Sequence, residues 1–452
     1  MLPIHRLAGI AGLVFLTACS SDSDQPAASL GGGYVVGDEP FAVNTGASIL
    51  AQGGSAADAA TAMYFAMVAT YPVAAGLGGG GVCVVHDQAS GQDEAFEFLA
   101  RDAAGGGAFA MPGNVRGFAA LQTAYGRLPW QRDVSPGEGY AATGFPISRA
   151  LSARLVSSQD LIRLDAGLAS EFLDESGKVK SAGAVVSNTA LAETLAAIRV
   201  EGSNGFYRGP VAQKIASYAP TQGGTVSLAE LDAYAAHRES ARVVPLGDAL
   251  GYMPPDRVGS GTFASALLSQ LVDAQGNVVA SENPGTTAEA TKTTLEKFGI
   301  AALPKDLGAT GFAALDNNGQ AVACAVTMNG PFGSDHTVPG TGVTLARAPS
   351  SGSAGLSAAF LTPVIATQGR GGAISLAGAG AGGPNGTAAI AYALVKLAHG
   401  QDMTQQGVVL STGIAPYDTV NVIACQGGTC ATLPDPGASG LGAAAGNTAG
   451  NQ

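Results

Sequence analysis

Apolar and polar residues alternate along the chain in a way that predicts several helices. A run of Ala, Met and Phe with almost no charge predicts a helix over 55–70 that is buried on most sides. Ser55 can cap this helix, and Asp58 follows three residues later, which is the pattern of an N-terminal capping box. Similar periodicity predicts further helices over 191–201, 228–234, 264–274 and 287–298.

Shorter apolar runs predict strands and hairpins. Residues 82–85 follow a glycine run, and the runs 312–315 and 321–328 flank a turn sequence, Asp-Asn-Asn-Gly, at 316–319. Residues 374–376 predict a strand that leads into a second glycine-rich turn. Because helices and antiparallel hairpins mix without a regular β-α-β rhythm, the pattern predicts a layered α/β (α+β) fold rather than a Rossmann sheet.

The first residues have the composition of an export signal. Arg6 precedes an apolar stretch, 7–16, which is shorter than the roughly 20 residues that span a bilayer. The stretch ends in Leu-Thr-Ala-Cys19, which resembles the bacterial lipoprotein signal, whose Cys is lipidated and becomes the mature N-terminus. The alternative is an ordinary signal peptide that contains a Cys. We therefore predict a signal over 1–19 and a lipid anchor at the cell envelope, with Ser20 favouring the outer membrane and the periplasm.

Both ends of the mature chain are rich in small and polar residues. Residues 20–33 predict a flexible tether, and residues 433–452 predict a disordered Gly- and Ala-rich tail. The folded part is then 34–432. The chain has 452 residues and a net charge of -12, with no run of basic residues. This balance argues against a nucleic-acid partner, since phosphate binding needs clustered Lys and Arg.

Five cysteines occur in the chain. Besides Cys19, Cys83 and Cys324 lie in apolar, strand-like runs and are predicted to be buried thiols. Cys425 and Cys430 flank a turn-rich insert, and we predict that they form a disulfide in an exported protein. No Cys-x-x-Cys or His-Glu-x-x-His motif is present, so the sequence predicts no metal site and no cofactor.

Two glycine runs are candidates for chemistry. Neither 78–81 nor 378–383 is followed by Lys-Ser or Lys-Thr, which argues against phosphate loops and favours tight backbone packing for the first. Gly382 and Gly383 precede a predicted helix, and consecutive glycines there can present two backbone N–H groups to a developing oxyanion. No Gly-x-Ser-x-Gly motif is present, which argues against a Ser-His-Asp hydrolase.

A series of short motifs carries a family resemblance. They are ILAQGGSAADAA at 49–60, GLGGGG at 76–81, RDAA at 101–104, MPGNVRG at 111–117, YGRLPW at 125–130, FYRGPVA at 206–212, MPP at 253–255, DNNGQAV at 316–322, TMN at 327–329 and FGS at 332–334. In this order they resemble the gamma-glutamyltransferase (gamma-glutamyltranspeptidase) family of N-terminal-nucleophile hydrolases. The resemblance covers about residues 41–396.

This resemblance implies a four-layer αββα sandwich and an autoproteolytic zymogen. A single precursor cuts itself ahead of a Thr, and the large and small subunits stay associated. The new N-terminal Thr attacks an amide carbonyl of a small-molecule gamma-glutamyl or related donor, and its own α-amine takes the proton. Water or an amine acceptor then releases the acyl group. The expected subunit regions are 34–309 and 310–432.

The resemblance also assigns roles to particular residues. Arg101 matches the Arg that holds the α-carboxylate of the substrate. Thr327 and Asn329 match polar groups near the glutamyl amine and the nucleophile, and Gly382 with Gly383 match the oxyanion pair.

Other positions depart from the family pattern. The acidic residue that holds the substrate amino group falls on Ser351, and a Ser-Ser pair falls on Ala359 and Phe360. Half of the clamp for a free amino acid headgroup is therefore missing, which leaves a gamma-glutamyl donor and a different amide donor both open.

The position of the nucleophile is ambiguous. Aligned without gaps on Asp316, it falls on Ala309, and Thr310 follows one residue later. Thr310 is the only hydroxyl residue between Pro304 and Asp316, and Gly311 beside it gives the backbone freedom that an acyl shift requires. We therefore predict a one-residue slip, with cleavage between Ala309 and Thr310. In strict register, the chain would instead be an inactive family member that acts as a surface binding module.

Overall fold

The computed structural model of the protein describes residues 32–280, 283–401, 403 and 417–445. The predicted signal, the lipidation site Cys19 and nearly all of the predicted tether lie outside the described residues, as does the end of the predicted tail. The strands are, in chain order, β1 (Tyr34–Gly37), β2 (Gly80–Asp87), β3 (Gln92–Phe98), β4 (Arg101–Asp102), β5 (Ala110–Met111), β6 (Phe145–Pro146), β7 (Val185–Val186), β8 (His237–Ser240), β9 (Arg242–Leu246), β10 (Ala249–Met253), β11 (Ala309–Leu315), β12 (Gln320–Thr327), β13 (Thr337–Val338), β14 (Val343–Thr344), β15 (Thr362–Thr367), β16 (Ile374–Ala381), β17 (Thr419–Gln426), β18 (Thr429–Leu433) and β19 (Leu441–Ala444).

The α-helices alternate with these strands. They are α1 (Pro40–Ala51), α2 (Ala56–Thr70), α3 (Asn114–Tyr125), α4 (Trp130–Thr143), α5 (Arg149–Ser157), α6 (Gln159–Leu164), α7 (Ala166–Phe172), α8 (Thr189–Glu201), α9 (Asn204–Tyr207), α10 (Gly209–Tyr218), α11 (Leu228–Ala233), α12 (Gly259–Leu268), α13 (Pro284–Lys297), α14 (Leu356–Ala359) and α15 (Pro384–Ala398). Within the described ranges, none of these helices has both the length and the apolar character needed to cross a membrane.

Two antiparallel sheets form the centre of the molecule. Their strand orders are β19-β1-β11-β12-β2-β3-β8 and β18-β17-β16-β15-β10-β9. Along β11, Phe312 packs with the cluster around α2, whereas Ala313 packs with Ile365 of the second sheet. Helix α15 covers the outer face of that second sheet, where Leu394 joins the cluster of Leu376. The four layers confirm the predicted αββα sandwich.

Helix α2 shows how the sequence builds the first layer. Its cap is the predicted box: the Ser55 hydroxyl accepts from the backbone N–H of Asp58 at 3.1 Å, and the Asp58 carboxylate accepts from the backbone N–H of Ser55 at 2.8 Å. Every residue of the helix is buried, because α1 and α4 pack beside it and the first sheet lies beneath it. The predicted buried helix over 55–70 is confirmed.

Two predicted elements have different bounds in the structure. The helix predicted over 264–274 begins five residues earlier and ends six residues earlier, as α12. It cannot continue to 274, because Asp273 accepts from the backbone N–H groups of Gln275 and Asn277 in a turn. The predicted strand over 374–376 continues to Ala381, so Gly378 and Gly380 lie inside β16, and the predicted glycine-rich turn is confined to residues 382–383. A Cβ at Gly380 would lie 2.2 Å from the carbonyl oxygen of Gly386, so the strand needs glycine for the close approach of α15.

The prediction of a disordered tail over 433–452 is wrong for its described part. Strand β19 forms the edge of the first sheet and pairs antiparallel with β1, with Val35 opposite Ala443. The pairing satisfies the backbone N–H and C=O groups of β1, which would otherwise form an open edge. Small residues at 442–444 offered no hydrophobic alternation from which this strand could be predicted.

The prediction that Cys83 and Cys324 are free buried thiols is also wrong. The two residues lie directly opposite each other in β2 and β12, with their Cα atoms 4.1 Å apart, and their Sγ atoms form a disulfide. Cys425 and Cys430 lie opposite each other in the β17–β18 hairpin and form a second disulfide. Strand register, which apolar runs alone do not specify, decides the first pair.

Candidate active site

An open cleft of about 630 Å³ contains two of the residues that the resemblance singled out. Arg101 and Asn329 both line it, together with residues of the 237–259 and 349–358 segments. Thr310, Gly382 and Gly383 are not among the residues that line it. The predicted site is therefore divided in the structure: two of its residues line the cleft, and the proposed nucleophile and the glycine pair do not.

Arg101 lies in the short strand β4, with 38% of its side chain exposed. Its guanidinium pairs with Glu97, at 3.3 Å from one carboxylate oxygen, and lies over the ring of Tyr234, 4.9 Å from the ring centroid. A substrate carboxylate at this position would compete with Glu97. Arg101 is nonetheless half-exposed in the cleft, so a ligand can reach it.

Asn329 follows β12 in a left-handed backbone conformation, with φ 58°. Its backbone N–H donates to the hydroxyl of Thr327 at 2.9 Å, and its side-chain amide donates to the carbonyl oxygen of Arg347 at 2.8 Å. The Thr327 hydroxyl in turn lies 3.0 Å from the carbonyl oxygen of Gly308. Thr327 thus links the end of β12 to the segment just before β11.

The pair Gly382 and Gly383 forms the turn between β16 and α15. Gly382 has φ +87°, and a Cβ there would lie 2.6 Å from the carbonyl oxygen of Tyr417, so the position requires glycine. Gly383 is the N-cap of α15, a 15-residue helix whose first residue is Pro384. The backbone N–H groups of such a turn lie at the positive end of the helix dipole, which is suited to a developing anion.

Ala309, rather than Thr310, lies on the same side of the sheet as this glycine turn. Ala309 is paired with Thr327 across the β11–β12 ladder. Its side chain shares a buried cluster with Ala381, the residue before Gly382. Since successive side chains of a strand point to opposite faces, Thr310 points elsewhere.

The Thr310 hydroxyl instead donates to a buried carboxylate. It lies 2.6 Å from Oδ2 of Asp38, the first residue after β1, and both side chains are fully buried. Asn421 donates to the other oxygen of Asp38 at 2.7 Å. Burial raises the pKa of Asp38 to about 6, although the hydrogen bonds from Thr310 and Asn421 lower it. No sequence motif marked Asp38, because acidic residues between an apolar strand and a helix are usually turn or cap residues.

A buried arginine contacts the peptide bond next to Thr310. Arg154 of α5 is 1% exposed and donates from Nη1 to the carbonyl oxygen of Ala309 at 3.2 Å. Its Nε and Nη2 donate to the two oxygens of Asp306, at 3.0 and 2.5 Å. Burial lowers the pKa of Arg154, but the charge of Asp306 more than offsets this and holds the pKa above its usual value. The sequence gives no sign of this role, because an Arg within an amphipathic helix normally faces solvent.

The altered positions are also visible in the structure. Ser351 is exposed in a turn, where its backbone N–H donates to the carbonyl oxygen of Ala348. Phe360, at the position of a family Ser, is buried against Phe263, with ring centroids 5.0 Å apart. An apolar contact therefore occupies a position where the family pattern has a hydroxyl.

Comparison with known sequences relates the chain to one family. The model described as Gamma-glutamyltranspeptidase matches residues 42–106 and 99–296. Glutathione hydrolase 2 of Arabidopsis thaliana is 28% identical over 375 residues, which cover 69% of this chain and 64% of that protein. The Acylase ACY 1 proenzyme of Pseudomonas sp. (strain SE83) is 29% identical over 268 residues, which cover 53% of this chain and 47% of that protein. The chain thus spans less than two thirds of the length of these relatives.

Solved structures share the fold. Cephalosporin acylase from Bacillus halodurans superposes with a TM-score of 0.70 at 17% identity and covers 91% of this chain and 95% of its own. The gamma-glutamyltranspeptidase of Helicobacter pylori superposes with a TM-score of 0.51 at 23% identity over 58% of this chain and 81% of its own. Since the matching family model covers more than half of the residues, the chain belongs to the gamma-glutamyltranspeptidase family, whose members are enzymes of the N-terminal-nucleophile hydrolase class.

Proposed function

We propose that the protein is an amide hydrolase or acyltransferase that cuts its own chain between Ala309 and Thr310 and then uses Thr310 as an N-terminal nucleophile. The observation that carries the proposal is the 2.6 Å hydrogen bond from the Thr310 hydroxyl to the Asp38 carboxylate. A hydroxyl that donates to a buried carboxylate can lose its proton as it attacks a carbonyl. After cleavage, the free α-amine of Thr310 can take over the role of the base.

The donor is proposed to be a gamma-glutamyl compound or a related amide. Relatives of this chain are named glutathione hydrolase and acylase, which are both amide-cleaving activities. Arg101 and Asn329 in the cleft supply a cation and an amide for the headgroup of such a donor. With Ser351 in place of an acid, the substrate ammonium lacks a charged partner, so turnover of glutathione should be weak.

The proposal requires a local rearrangement after cleavage. In the uncut chain, Thr310 is buried at the start of β11 and does not line the cleft. Cutting removes its covalent link to Ala309, and Gly311 then allows the new N-terminus to rotate. This rotation would bring the Thr310 hydroxyl toward the glycine turn at Gly382.

A second candidate function is binding without catalysis. The observation that favours it is the register of β11, which places the methyl group of Ala309 opposite Thr327 and beside the strand leading to Gly382. In this case the cleft around Arg101 would bind a ligand that the protein does not cut.

The proposed location is the outside of the inner cell membrane. We propose that Cys19 carries a lipid anchor and that the protein faces the periplasm from the outer membrane. Two disulfides in the described residues are compatible with an oxidising compartment.

A test of the proposed activity uses mature protein on a reducing gel, with N-terminal sequencing of every band. Wild-type protein should give two fragments, one of which begins at Thr310. Thr310→Ala should remain uncut and inactive, and Thr310→Ser should still be cut. Thr291→Ala is a matched control, because the Thr291 hydroxyl is buried but donates within its own helix. Wild-type protein that stays as one uncut chain would favour the binding function instead.

A further inference from the structure

We propose that Asp38 and Arg154 are catalytic residues for the self-cleavage, with Asp38 as the base for the Thr310 hydroxyl and Arg154 as the cation that holds the oxyanion on Ala309. This inference rests on the proposed cleavage between Ala309 and Thr310. It assigns a chemical role to two buried charged residues that the substrate cleft does not use.

Asp38 is placed where a base is needed. Its Oδ2 atom accepts the Thr310 hydroxyl at 2.6 Å, which is within the range for proton transfer. Its Oδ1 atom accepts from the side-chain amide of Asn421 at 2.7 Å, and the same amide donates to the carbonyl oxygen of Gly311 at 2.9 Å. Asn421 therefore fixes Asp38 relative to the backbone of β11. The carboxylate cannot turn away from Thr310 without losing a buried hydrogen bond.

Arg154 is placed where negative charge develops. Its Nη1 donates to the carbonyl oxygen of Ala309, the oxygen that becomes an oxyanion when Thr310 attacks. A donor directed at that oxygen in a site that excludes water stabilises the transition state more than the ground state. The partners of Arg154 hold it in this position: Asp306 binds it through two hydrogen bonds, and its guanidinium lies 4.5 Å from the ring centroid of Tyr417.

Asp38 and Arg154 also lie beside the start of β11, where β1 does not pair with it. Strand β1 ends at Gly37, so it does not pair with the first three residues of β11. Two side chains bond to that free edge instead. Asp38 accepts a hydrogen bond from the Thr310 hydroxyl, and Arg154 donates one to the carbonyl oxygen of Ala309. A carboxyl group and a guanidinium around one buried peptide bond are costly to desolvate, which favours a chemical role over a purely structural one.

The chemical steps balance with water as the only co-reactant. The Thr310 oxygen bonds to the carbonyl carbon of Ala309, its proton passes to Asp38, and the charge on the carbonyl oxygen is held by Arg154. The carbon–nitrogen bond then breaks as the proton is returned to the nitrogen of Thr310, which leaves an ester. Water hydrolyses the ester to the Ala309 carboxylate, the free Thr310 amine and the restored hydroxyl.

The rate of cleavage should depend on pH through Asp38. Burial raises the pKa of Asp38 to about 6, so the carboxylate is protonated below that pH and cannot accept a proton. The charge of Asp435 acts in the same direction as the burial. The other titratable neighbours are Glu39, whose own pKa is raised by burial to about 8, and the hydroxyls of Tyr71 and Tyr417. Cleavage should therefore be fast at pH 7–8 and slow as the pH falls below about 6.

The test follows cleavage of newly made precursor in cell-free synthesis, on reducing gels sampled over time. Asp38→Asn keeps the shape and the hydrogen bond from Asn421, and should slow cleavage by about 10²- to 10⁴-fold. Arg154→Gln should slow it by about 10²- to 10³-fold. Glu39→Gln is the matched control, because Glu39 is also a buried carboxyl but bonds to Ser148 and to the backbone of Phe41. This control should be cut at the wild-type rate.

The outcomes separate this inference from the proposed function. If wild-type precursor is never cut, the proposed function fails. If wild type is cut and Asp38→Asn is cut equally fast with the same pH profile, Asp38 is not the base, although Thr310 can still be the nucleophile. If Arg154→Gln is cut as fast as wild type, Arg154 does not hold the oxyanion. Thermal unfolding of each variant shows whether it is folded. For a variant that does not fold, the pH profile of wild-type cleavage decides, since a rate that does not fall below pH 6 contradicts Asp38 as the base.

Discussion

Cys83 of β2 and Cys324 of β12 are cross-strand neighbours joined by a disulfide, although they are 241 positions apart in the sequence. The proposed cleavage site after Ala309 lies within that interval. The fragments produced by cleavage would therefore remain covalently linked. A cut chain should run as one band near its full size without reductant, and as bands of about 29 and 14 kDa with reductant, from about 98 Da per residue.

This gel experiment has a matched control in the second disulfide. Cys324→Ser should release the smaller fragment without reductant, whereas Cys430→Ser should not, because Cys425 and Cys430 lie in the same fragment. Separation of the wild-type fragments without reductant would contradict the Cys83–Cys324 bond.

A carboxylate at position 351 should improve the use of gamma-glutamyl donors. The family resemblance places Ser351 where an acid is expected to pair with the substrate ammonium, and a hydrogen bond to a charged group contributes about 1.5–3 kcal/mol. Ser351→Asp should therefore raise kcat/KM for a gamma-glutamyl anilide by roughly 10- to 100-fold. Ser353→Asp adds the same charge at an exposed position two residues away and should have a smaller effect. Robust hydrolysis of glutathione by the unmodified protein would contradict the prediction.

Asp133 should make the protein less stable as the pH rises. Burial raises the pKa of Asp133 from 3.8 to about 9, and the neighbouring charge of Asp58 acts in the same direction. Between these values the unfolded chain releases the proton while the folded protein keeps it, so the free energy of unfolding falls with increasing pH. Asp133→Asn needs no proton, and should raise the free energy of unfolding by about 2–4 kcal/mol at pH 8.

Denaturant unfolding at pH 5 and pH 8 measures this effect. The gain should shrink at pH 5, and the exposed Asp160→Asn should show no such dependence on pH. An equal effect of Asp133→Asn at both pH values would show that Asp133 is ionised in the folded protein.

Replacement of Cys19 should release the protein from the membrane. The Leu-Thr-Ala-Cys sequence predicts that Cys19 carries the lipid, and a flexible tether of polar residues follows it. Cys19→Ala should move the protein from the membrane fraction to the soluble fraction or leave it with an uncut signal. Mass spectrometry of the N-terminal peptide distinguishes these two results, because it shows whether the signal has been removed. Equal membrane retention with an ordinary cut signal would contradict a lipid anchor at Cys19.

The layered fold was predictable because several of its helices and hairpins are specified by short local sequence patterns. The capping box of Ser55 and Asp58, followed by an uncharged apolar run, predicts α2, and the Asp-Asn-Asn-Gly turn predicts the β11–β12 hairpin. Pairing between distant strands was not predictable from periodicity. This pairing determines that Cys83 lies opposite Cys324, and that residues 441–444 form a strand beside β1.

The candidate site was predictable only where motifs mark it. The resemblance selected Arg101 and Asn329, and the structure brings both into one cleft. It did not select Asp38 or Arg154, because their proposed roles depend on which atoms of residues 309 and 310 they contact in the folded protein. The face to which Thr310 points depends on a single step in strand register, which a sequence alignment with a one-residue ambiguity does not settle.

The order of strands in the first sheet has a consequence for the cut protein as an assembly. Strand β1 lies between β19 and β11, so a strand from before the cut is hydrogen-bonded on both sides to strands from after it. Neither fragment holds a complete sheet by itself, and removing one would expose both edges of β1. The two fragments should therefore behave as a permanently interlocked pair. Even with both disulfides reduced, differently tagged copies should not exchange fragments unless the whole molecule unfolds.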